Sequence, residues 1–145
     1  MLDHAHFMQA ALHQAHYGYN LREVPVGAVV VVNEKIITSS HNQVQKLRSS
    51  TAHAELIAIQ QACTILQAKY LLDATLYVTL EPCIMCAGAI SLTQLKRLVY
   101  GAQDPQKGYT LWERTIVHPT TEVVGGVFAQ QSTELLQTFF KTLRE

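Results

Sequence analysis

The sequence predicts one α/β domain in which helices cover a mixed β-sheet. Segments with helical and strand-like patterns alternate along the chain in the order α, β, β, α, β, α, β, followed by a further β and α. This alternation is typical of layered α/β folds. The 145 residues are the length of one domain that buries about two thirds of its unfolded surface. A single domain is therefore expected over residues 1–145, with one active site.

The first three elements follow from local residue patterns. Residues 3–17 carry apolar side chains at three- and four-residue spacing, which predicts an amphipathic helix that ends near Gly18. Val24–Val32 is rich in β-branched residues, and after a two-residue turn the pattern continues over Lys35–Ser40. These two segments predict a β-hairpin.

The later elements alternate between strand and helix. They are a helix over Ala52–Leu66 capped by Thr51, a strand over Ala74–Thr79, a helix from Cys83 to Thr93, a strand over Arg97–Gly101, a strand over Glu122–Phe128 and a helix over Thr133–Leu143. A polar segment, residues 102–118, joins the last two strands. Each buried strand is thus expected to lead into a helix or a polar loop.

Composition limits the classes of function. Hydrophobic residues make up 48% of the chain and charged residues 15%, which argues against disorder. Basic and acidic residues balance at 11 each, so a nucleic acid would have to be bound by a local patch. No apolar run approaches the ~18 to 20 residues of a membrane span, and the N-terminus has no secretory signal pattern. We therefore expect a cytoplasmic protein with no membrane partner.

Two short segments carry the chemistry, one with His53 and Glu55 and one with Cys83 and Cys86. Neither is specific alone, because a lone histidine is more often structural and a Cys-x-x-Cys pair can be redox-active or half of a structural site. Together they supply one imidazole and two thiolates, which is the ligand set of a catalytic zinc with an open fourth position. The third cysteine, Cys63, lies in an apolar helical pattern and is expected to be a buried structural thiol.

Glu55 is the expected catalytic residue. It lies two residues after His53 near the start of a helix, where it can stand beside the metal without binding it. Zinc lowers the pKa of bound water from ~15.7 to about 7, so a carboxylate at this place can accept a proton and deliver it to the substrate. The alternative is that Glu55 is a solvated charge in a first helical turn.

The order His-x-Glu, then Pro-Cys-x-x-Cys, is the signature of zinc deaminases, the tRNA adenosine deaminases among them. The chain resembles the bacterial tRNA-specific adenosine deaminase family over nearly its whole length. The resemblance is carried by Val26–Ala28, His41–Asn42, Thr51–Glu55, Thr75–Cys83, Met85–Ala89, Val99–Ala102 and Phe139–Phe140. It implies a cytidine deaminase-like three-layer α/β/α fold with a five-stranded mixed sheet.

The resemblance also implies function. It implies a homodimer that binds one Zn2+ per subunit and converts the wobble adenosine of a tRNA anticodon loop to inosine with release of ammonia. The residues that it assigns are His53, Cys83 and Cys86 to the metal, Glu55 to proton transfer, Asn42, Ala54 and Asp104 to substrate binding, and Phe140, Lys141 and Arg144 to RNA contact. Of the adjacent Phe139 and Phe140, one is expected to pack in the core.

Departures from the family pattern bear on the substrate. Ser49 and Ser50 replace the usual Asp-Pro, the loop after Asp104 lacks the usual Gly-Ser-Leu run, a stretch at His118–Thr120 replaces Asn-His-Arg, and the basic tail is short. A deaminase of free guanine, cytosine or cytidine with a more enclosed pocket is the alternative. A non-enzymatic zinc-stabilised subunit is a third possibility, and the presence of Glu55 argues against it.

A local basic patch would be needed for RNA binding. The candidates are Lys46, Arg48, Lys107, Arg114, Lys141 and Arg144. If they line one face, they suit an anticodon loop that is held by shape and stacking. The alternative is that these are scattered solvated charges.

Overall fold

The strands form one five-stranded sheet with helices on both faces, which confirms the predicted α/β class. The computed structural model describes residues 3–144. The elements are α1 (His4–Asn20), β1 (Gly27–Val32), β2 (Lys35–His41), α2 (Val44–Leu47), α3 (Ala54–Leu66), β3 (Ala74–Leu80), α4 (Ile84–Thr93), β4 (Arg97–Ala102), β5 (Glu122–Val124) and α5 (Ala129–Arg144). Two short 3-10 helices, Tyr109–Leu111 and Arg114–Ile116, occupy the predicted polar connection. None of the helices in this described range is long and apolar enough to cross a membrane.

The sheet is mixed, and its topology brings several strand ends together. The strand order is β2-β1-β3-β4-β5. β1 is antiparallel to both β2 and β3, whereas β4 is parallel to β3 and to β5. β2, β3 and β4 therefore run in one direction, and their carboxyl ends lie at the same edge of the sheet. In α/β folds this edge is where ligands bind.

The strand β1 is buried on both faces. Ala28 and Val30 pack in the cluster that includes α3 and α4, whereas Val29 and Val31 pack against Phe7 and other apolar residues of α1 on the opposite face. Successive side chains of a strand point to opposite faces. This double burial explains why the segment is a continuous apolar run.

Two predicted helix boundaries were wrong for reasons of tertiary packing. α1 continues through Gly18, which is buried where an added Cβ would lie 3.3 Å from the Cβ of His41. Gly18 is thus a close-packing position and does not end the helix. Thr51 does not cap α3: His53 occupies the N-cap position, and the Oδ1 atom of Asn42 accepts the hydrogen bond from Ala54 N–H at 2.8 Å.

The last predicted strand is shorter than expected. β5 ends at Val124 rather than near Phe128. Gly125 follows where an added Cβ would lie 2.5 Å from the ring of Tyr100, and Gly126 has a φ of 91°. The chain turns there and enters α5, which packs on β4 and contacts α1.

Candidate active site

Two helix N-termini bring the predicted metal ligands together. His53 is the N-cap of α3 and Cys83 is the N-cap of α4, with Cys86 in the first turn of α4. The Nδ1 atom of His53 lies 3.6 Å from the Sγ atom of Cys83 and 3.5 Å from the Sγ atom of Cys86. All three donor atoms lie within 4.8 Å of one another. These three residues could therefore hold a metal ion.

The donor set and its spacing fit zinc. One imidazole nitrogen and two sulfurs are typical zinc ligands, and donors bound at 2.0 to 2.3 Å in a tetrahedron lie about 3.5 Å apart. The observed separations of 3.6 and 3.5 Å match that value. Three protein donors leave one tetrahedral position for another ligand, as in catalytic rather than structural sites.

Electrostatics in the cluster favour binding of a cation. The hydrogen bond from Cys86, with a second from His53, lowers the pKa of Cys83 to about 4. The same bond and burial raise the pKa of Cys86 above its ordinary value. The hydrogen bond with Cys83 raises the pKa of His53. A thiolate at Cys83 thus disfavours ionisation of Cys86. A bound cation offsets the repulsion between the two negative charges because it stabilises both thiolates.

Glu55 lies beside the donor group, defined as His53, Cys83 and Cys86, and is not one of its members. It is in the first turn of α3, and its side chain is only 4% exposed. Burial raises the pKa of the Glu55 carboxyl above its ordinary value. Glu55 is among the residues that line the same groove as His53 and Cys83. A carboxyl group in such a place is suited to accept and return protons.

Three side chains on one face of the β2 segment, defined as β2 and the following Asn42, hold α3 in place. The hydroxyl of Thr38 donates to the carbonyl of Ala58 at 3.2 Å, and the hydroxyl of Ser40 donates to the carbonyl of Ala54 at 2.6 Å. Asn42 then accepts from Ala54 N–H at 2.8 Å. The spacing of two residues places all three on the same side of the extended chain. These bonds fix the start of α3, where His53 and Glu55 stand.

The predicted substrate-binding residues lie close to this centre. Asn42 lines the groove, and its Oδ1 atom accepts the hydrogen bond from Ala54 N–H. Ala54 is fully buried, with its N–H and its carbonyl both bonded to the β2 segment. Asp104 lines the groove, and its Oδ1 atom accepts from the backbone N–H groups of Gln106 and Lys107, both at 3.0 Å. Their roles in substrate binding stay predictions.

The groove is large and extends from the donor group to α5. Its volume is about 1430 Å³. Its lining includes His53, Glu55 and Cys83 and also Phe140 and Arg144 of α5. Pockets for drug-sized ligands usually measure roughly 300 to 1,000 Å³. The groove therefore has room for more than a single base.

The terminal helix places two of its predicted contact residues at the groove. Phe139 is buried and packs edge-on to Tyr19, which confirms that one phenylalanine of the pair is a core residue. Phe140 is 42% exposed and lines the groove, as does Arg144. Lys141 is exposed but is not among the groove-lining residues.

The basic residues only partly form a patch. Lys107 and Arg144 line the groove, whereas Lys46, Arg48, Arg114 and Lys141 are not part of its lining. Arg22, which sequence reasoning missed, does line it. Arg22 follows the end of α1 with a φ of 63°, so its place at the groove depends on a local turn and on tertiary contacts.

Two buried carboxylates at the groove were also missed. Glu23 is 2% exposed and accepts hydrogen bonds from the backbone N–H groups of Gln45 and Lys46 at 3.0 and 2.9 Å. Glu81 is 3% exposed and accepts from Asp104 and Thr110. In the sequence, Glu81 lies next to Pro82-Cys83, and that adjacency to a predicted ligand was the available signal.

Of the departures from the family pattern, two lie at the groove. Ser50 and the segment Pro105–Lys107 are among its lining residues. The stretch His118–Thr120 is not, and the Nδ1 atom of His118 lies 2.7 Å from the hydroxyl of Thr120 instead. The departures at positions 50 and 105–107 are therefore the ones that a ligand in the groove would meet.

Comparison with known proteins identifies the class. A family model described as MafB19-like deaminase matches residues 2–144. A solved structure from studies of A-to-I editing by tRNA deaminases at the wobble position is 42% identical, with a TM-score of 0.84 over 90% of this chain and 99% of that chain. The fold and the site thus define a deaminase with the cytidine deaminase-like fold.

The particular family follows from relatives of matching length. The tRNA-specific adenosine deaminase of Rickettsia felis is 43% identical over 94% of this chain and 100% of its own length. The guanine deaminase of Bacillus subtilis is 39% identical, but over only 70% of this chain and 66% of that chain, with a TM-score of 0.67. The chain belongs to the tRNA-specific adenosine deaminase family.

Proposed function

We propose that this chain is a zinc-dependent hydrolytic deaminase that converts the wobble adenosine of a tRNA anticodon loop to inosine and releases ammonia. The proposal rests on the residues that the groove brings together. His53, Glu55, Cys83 and Cys86 form what we call its floor, and its lining also includes Phe140 and Arg144. An exposed aromatic ring beside a cation suits unpaired bases and phosphates. The full-length relatives support adenosine in tRNA as the substrate. A cytoplasmic location, where tRNA is available, is part of the proposal.

His53, Cys83 and Cys86 would hold the zinc ion, one per subunit. When bound, zinc supplies Lewis acidity that makes water a competent nucleophile near neutral pH. The protein residues keep the donor atoms converged, because His53 and Cys83 are fixed as N-caps of helices that pack on the sheet. The N-terminal end of α4 further favours the thiolate form of its cysteines.

Glu55 performs the proton transfers. Its carboxylate accepts a proton from water as the oxygen adds to C6 of adenine and delivers it to the ring nitrogen; it then accepts the proton of the new C6 hydroxyl and delivers it to the leaving amine. The C6–N bond breaks, ammonia leaves, and a carbonyl remains in inosine. Because Glu55 is almost fully buried, it is shielded from bulk water, which keeps the transferred proton within the site.

The remaining contacts place the base. The NH2 group of Asn42 is the donor that would bind the substrate beside the floor, since its Oδ1 atom is already bonded to Ala54. Ala54 is fully buried and is not among the groove-lining residues, so it would act on the base only by fixing the start of α3 beside Glu55. Asp104, at the rim, would bind a flanking nucleotide, and the ring of Phe140 would stack on an unpaired base.

One experiment tests the substrate. Zinc-loaded protein is incubated with an anticodon stem-loop that carries a wobble adenosine, and separately with free adenosine, cytidine, cytosine and guanine, while inosine and ammonia are measured. We expect inosine in the stem-loop alone, with activity that falls steeply as salt is added. A stem-loop that carries guanosine at the wobble position is the matched control. Ammonia from guanine with an unchanged stem-loop would instead support the function of the Bacillus subtilis relative.

The proposal includes a homodimer formed through the outer surface of α3 and α4. Ile84 and Leu92, eight residues apart on α4, are 48% and 78% exposed, and Gly88 between them has open space around it. Ile65 and Trp112 are 59% and 68% exposed. Large exposed apolar patches mark interaction sites.

Leu92→Glu tests this interface and is expected to halve the mass measured by light scattering. Lys69→Glu, a charge reversal outside these apolar residues, is the control and should leave the mass unchanged. An unchanged mass for Leu92→Glu contradicts the interface.

A further inference from the structure

We infer that Glu81 is a positioning residue that fixes the rim segment, defined as residues 104–110, against the turn that carries Cys83. It thereby sets how Asp104 meets the substrate. The consequence for RNA rests on the proposed function, whereas the fixing of the rim segment does not. Glu81 is not one of the converging donors, and its side-chain hydrogen bonds all go to residues 104 and 110, so its effect on the reaction is exerted through the rim.

The carboxylate of Glu81 makes three hydrogen bonds, all to the rim segment. One oxygen accepts from the backbone N–H of Asp104 at 3.1 Å. The other accepts from the backbone N–H of Thr110 at 3.0 Å and from its hydroxyl at 2.7 Å. The side chain is 3% exposed. Hydrogen bonds to a buried carboxylate are stronger than neutral ones, so both ends of the segment are held by one side chain.

The backbone around Glu81 is bonded to the same segment. Tyr109 N–H donates to the carbonyl of Pro82 at 2.9 Å, and Cys83 and Gly108 form a β-bridge. An added Cβ at Gly108 would lie 2.4 Å from the carboxylate of Glu81. Only glycine allows the segment to lie so close to the carboxylate. The segment thus wraps around the residues that lead into the predicted ligand.

Apolar packing cannot hold the tip of this segment. Pro105, Gln106 and Lys107 are all exposed, and burial begins again at Gly108. Within the segment, Asp104 binds the backbone of Gln106 and Lys107 through its own carboxylate. That turn keeps its own shape but does not attach to the rest of the protein. The chain leaves the sheet at Ala102, which accepts from the backbone N–H of Glu81, and Asp104 itself is attached by the Glu81 carboxylate.

Glu23 provides a matched comparison within the groove lining. Its carboxylate accepts hydrogen bonds from the backbone N–H groups of Gln45 and Lys46 at the start of α2. The two carboxylates are 2% and 3% exposed, and each is bonded to a different segment of the lining. A variant of one is therefore a control for the other.

Limited tryptic cleavage tests the fixing directly, because Lys107 lies in the exposed tip of the segment. In Glu81→Gln the cleavage rate after Lys107 is expected to rise about tenfold, since an amide cannot accept all three bonds. In Glu23→Gln the rate after Lys107 stays at the wild-type value, while the rate after Lys46 rises. Thr110→Val, which removes only the hydroxyl bond, is expected to give a smaller increase after Lys107. Wild-type rates after Lys107 in both Glu81→Gln and Thr110→Val would overturn the inference.

Steady-state kinetics on the anticodon stem-loop separate positioning from a general structural role. For Glu81→Gln we expect KM to rise about tenfold, kcat to stay within about threefold, and zinc content to remain at one per chain. The KM effect should not add to that of Asp104→Ala if Glu81 acts through Asp104. Loss of zinc and of kcat with unchanged KM would overturn the inference. If the wild-type protein does not deaminate the stem-loop, the proposed function fails, and the cleavage rates after Lys107 still decide whether Glu81 fixes the rim.

Discussion

The floor and the rim of the groove are built in different ways. At the floor, His53, Glu55, Cys83 and Cys86 project from the first turns of α3 and α4, helices that pack in the core. At the rim, the start of α2 and the loop after Ala102 are held by buried carboxylates that bind backbone N–H groups. Floor chemistry depends on side-chain identity, whereas rim shape depends on backbone position. Changes at the floor should therefore stop the reaction for every substrate, and changes at the rim should alter which substrate binds.

The largest effect is expected at the floor from Cys86→Ala. Cys86 is fully buried, and its loss leaves two donors, too few for stable binding. Zinc content should fall to near zero, turnover on every substrate should drop at least about 10³-fold, and the thermal midpoint should fall. Atomic spectroscopy and thermal unfolding measure these changes. Cys63→Ala is the control and should keep its zinc; full zinc in Cys86→Ala would refute the ligand assignment.

Glu55→Gln should separate catalysis from metal binding at the same floor. The amide cannot transfer protons, so kcat should fall by about 10² to 10⁴. Zinc content should stay at the wild-type value, because Glu55 is not one of the three converging donors. Single-turnover assays on the stem-loop and metal analysis of the same sample provide the check. Wild-type turnover by this variant would disprove the role of Glu55 as the proton carrier.

Asn42 contacts the start of α3 and also lines the groove. Two variants distinguish its bond to Ala54 from its expected bond to the substrate. Asn42→Asp keeps the oxygen that accepts from Ala54 N–H but removes the NH2 donor. It should reduce kcat/KM about 10- to 100-fold with a normal thermal midpoint. Asn42→Ala should in addition lower the free energy of unfolding by about 1 to 2 kcal/mol, because the start of α3 loses its cap. Equal kcat/KM for Asn42→Asp and the wild type would exclude a substrate bond to the NH2 group.

The smallest effect is expected at the far end of the rim, where two cations of α5 can be compared. Arg144 lines the groove and Lys141 does not. Arg144→Ala should raise KM for the stem-loop about three- to tenfold and should reduce its dependence on salt. Lys141→Ala should have little effect, and neither variant should alter turnover of a free nucleoside. An equal rise in KM for both variants would show that the RNA path is not the groove.

The sequence was sufficient to predict the floor of the groove, because the chemistry of these residues depends on residue type and spacing. His53, Glu55, Cys83 and Cys86 were identified as a group, and the structure brings the three donors together. The helices that carry them were also predicted, since Ala54–Leu66 and Ile84–Thr93 have the expected bounds to within two residues. A helix start with a cap or a ligand is a local property of the chain.

The cap of α3 was not predictable, because it comes from a residue 12 positions away. Thr51 has a capping side chain just before the predicted start of the helix, but α3 begins at Ala54 and Asn42 provides the bond. Likewise, glycine is common at helix ends, but Gly18 lies within α1 and allows the helix to pack closely against His41. In both cases a long-range contact decided between local alternatives of similar energy.

By itself the sequence determined the α/β class, the deaminase chemistry and the residues of the floor, because these depend on pattern and on donor type. Only the tertiary structure decided the rim: that Glu81 and Glu23 are buried, that Glu81 binds the loop after Ala102 and Glu23 binds the start of α2, and that Arg22 reaches the groove. The physical reason is that almost any residue can supply a backbone N–H group to a carboxylate. Most of these bonds therefore leave no signal in the partner residues and appear only when the chain has folded; the Thr110 hydroxyl and Gly108 are the exceptions.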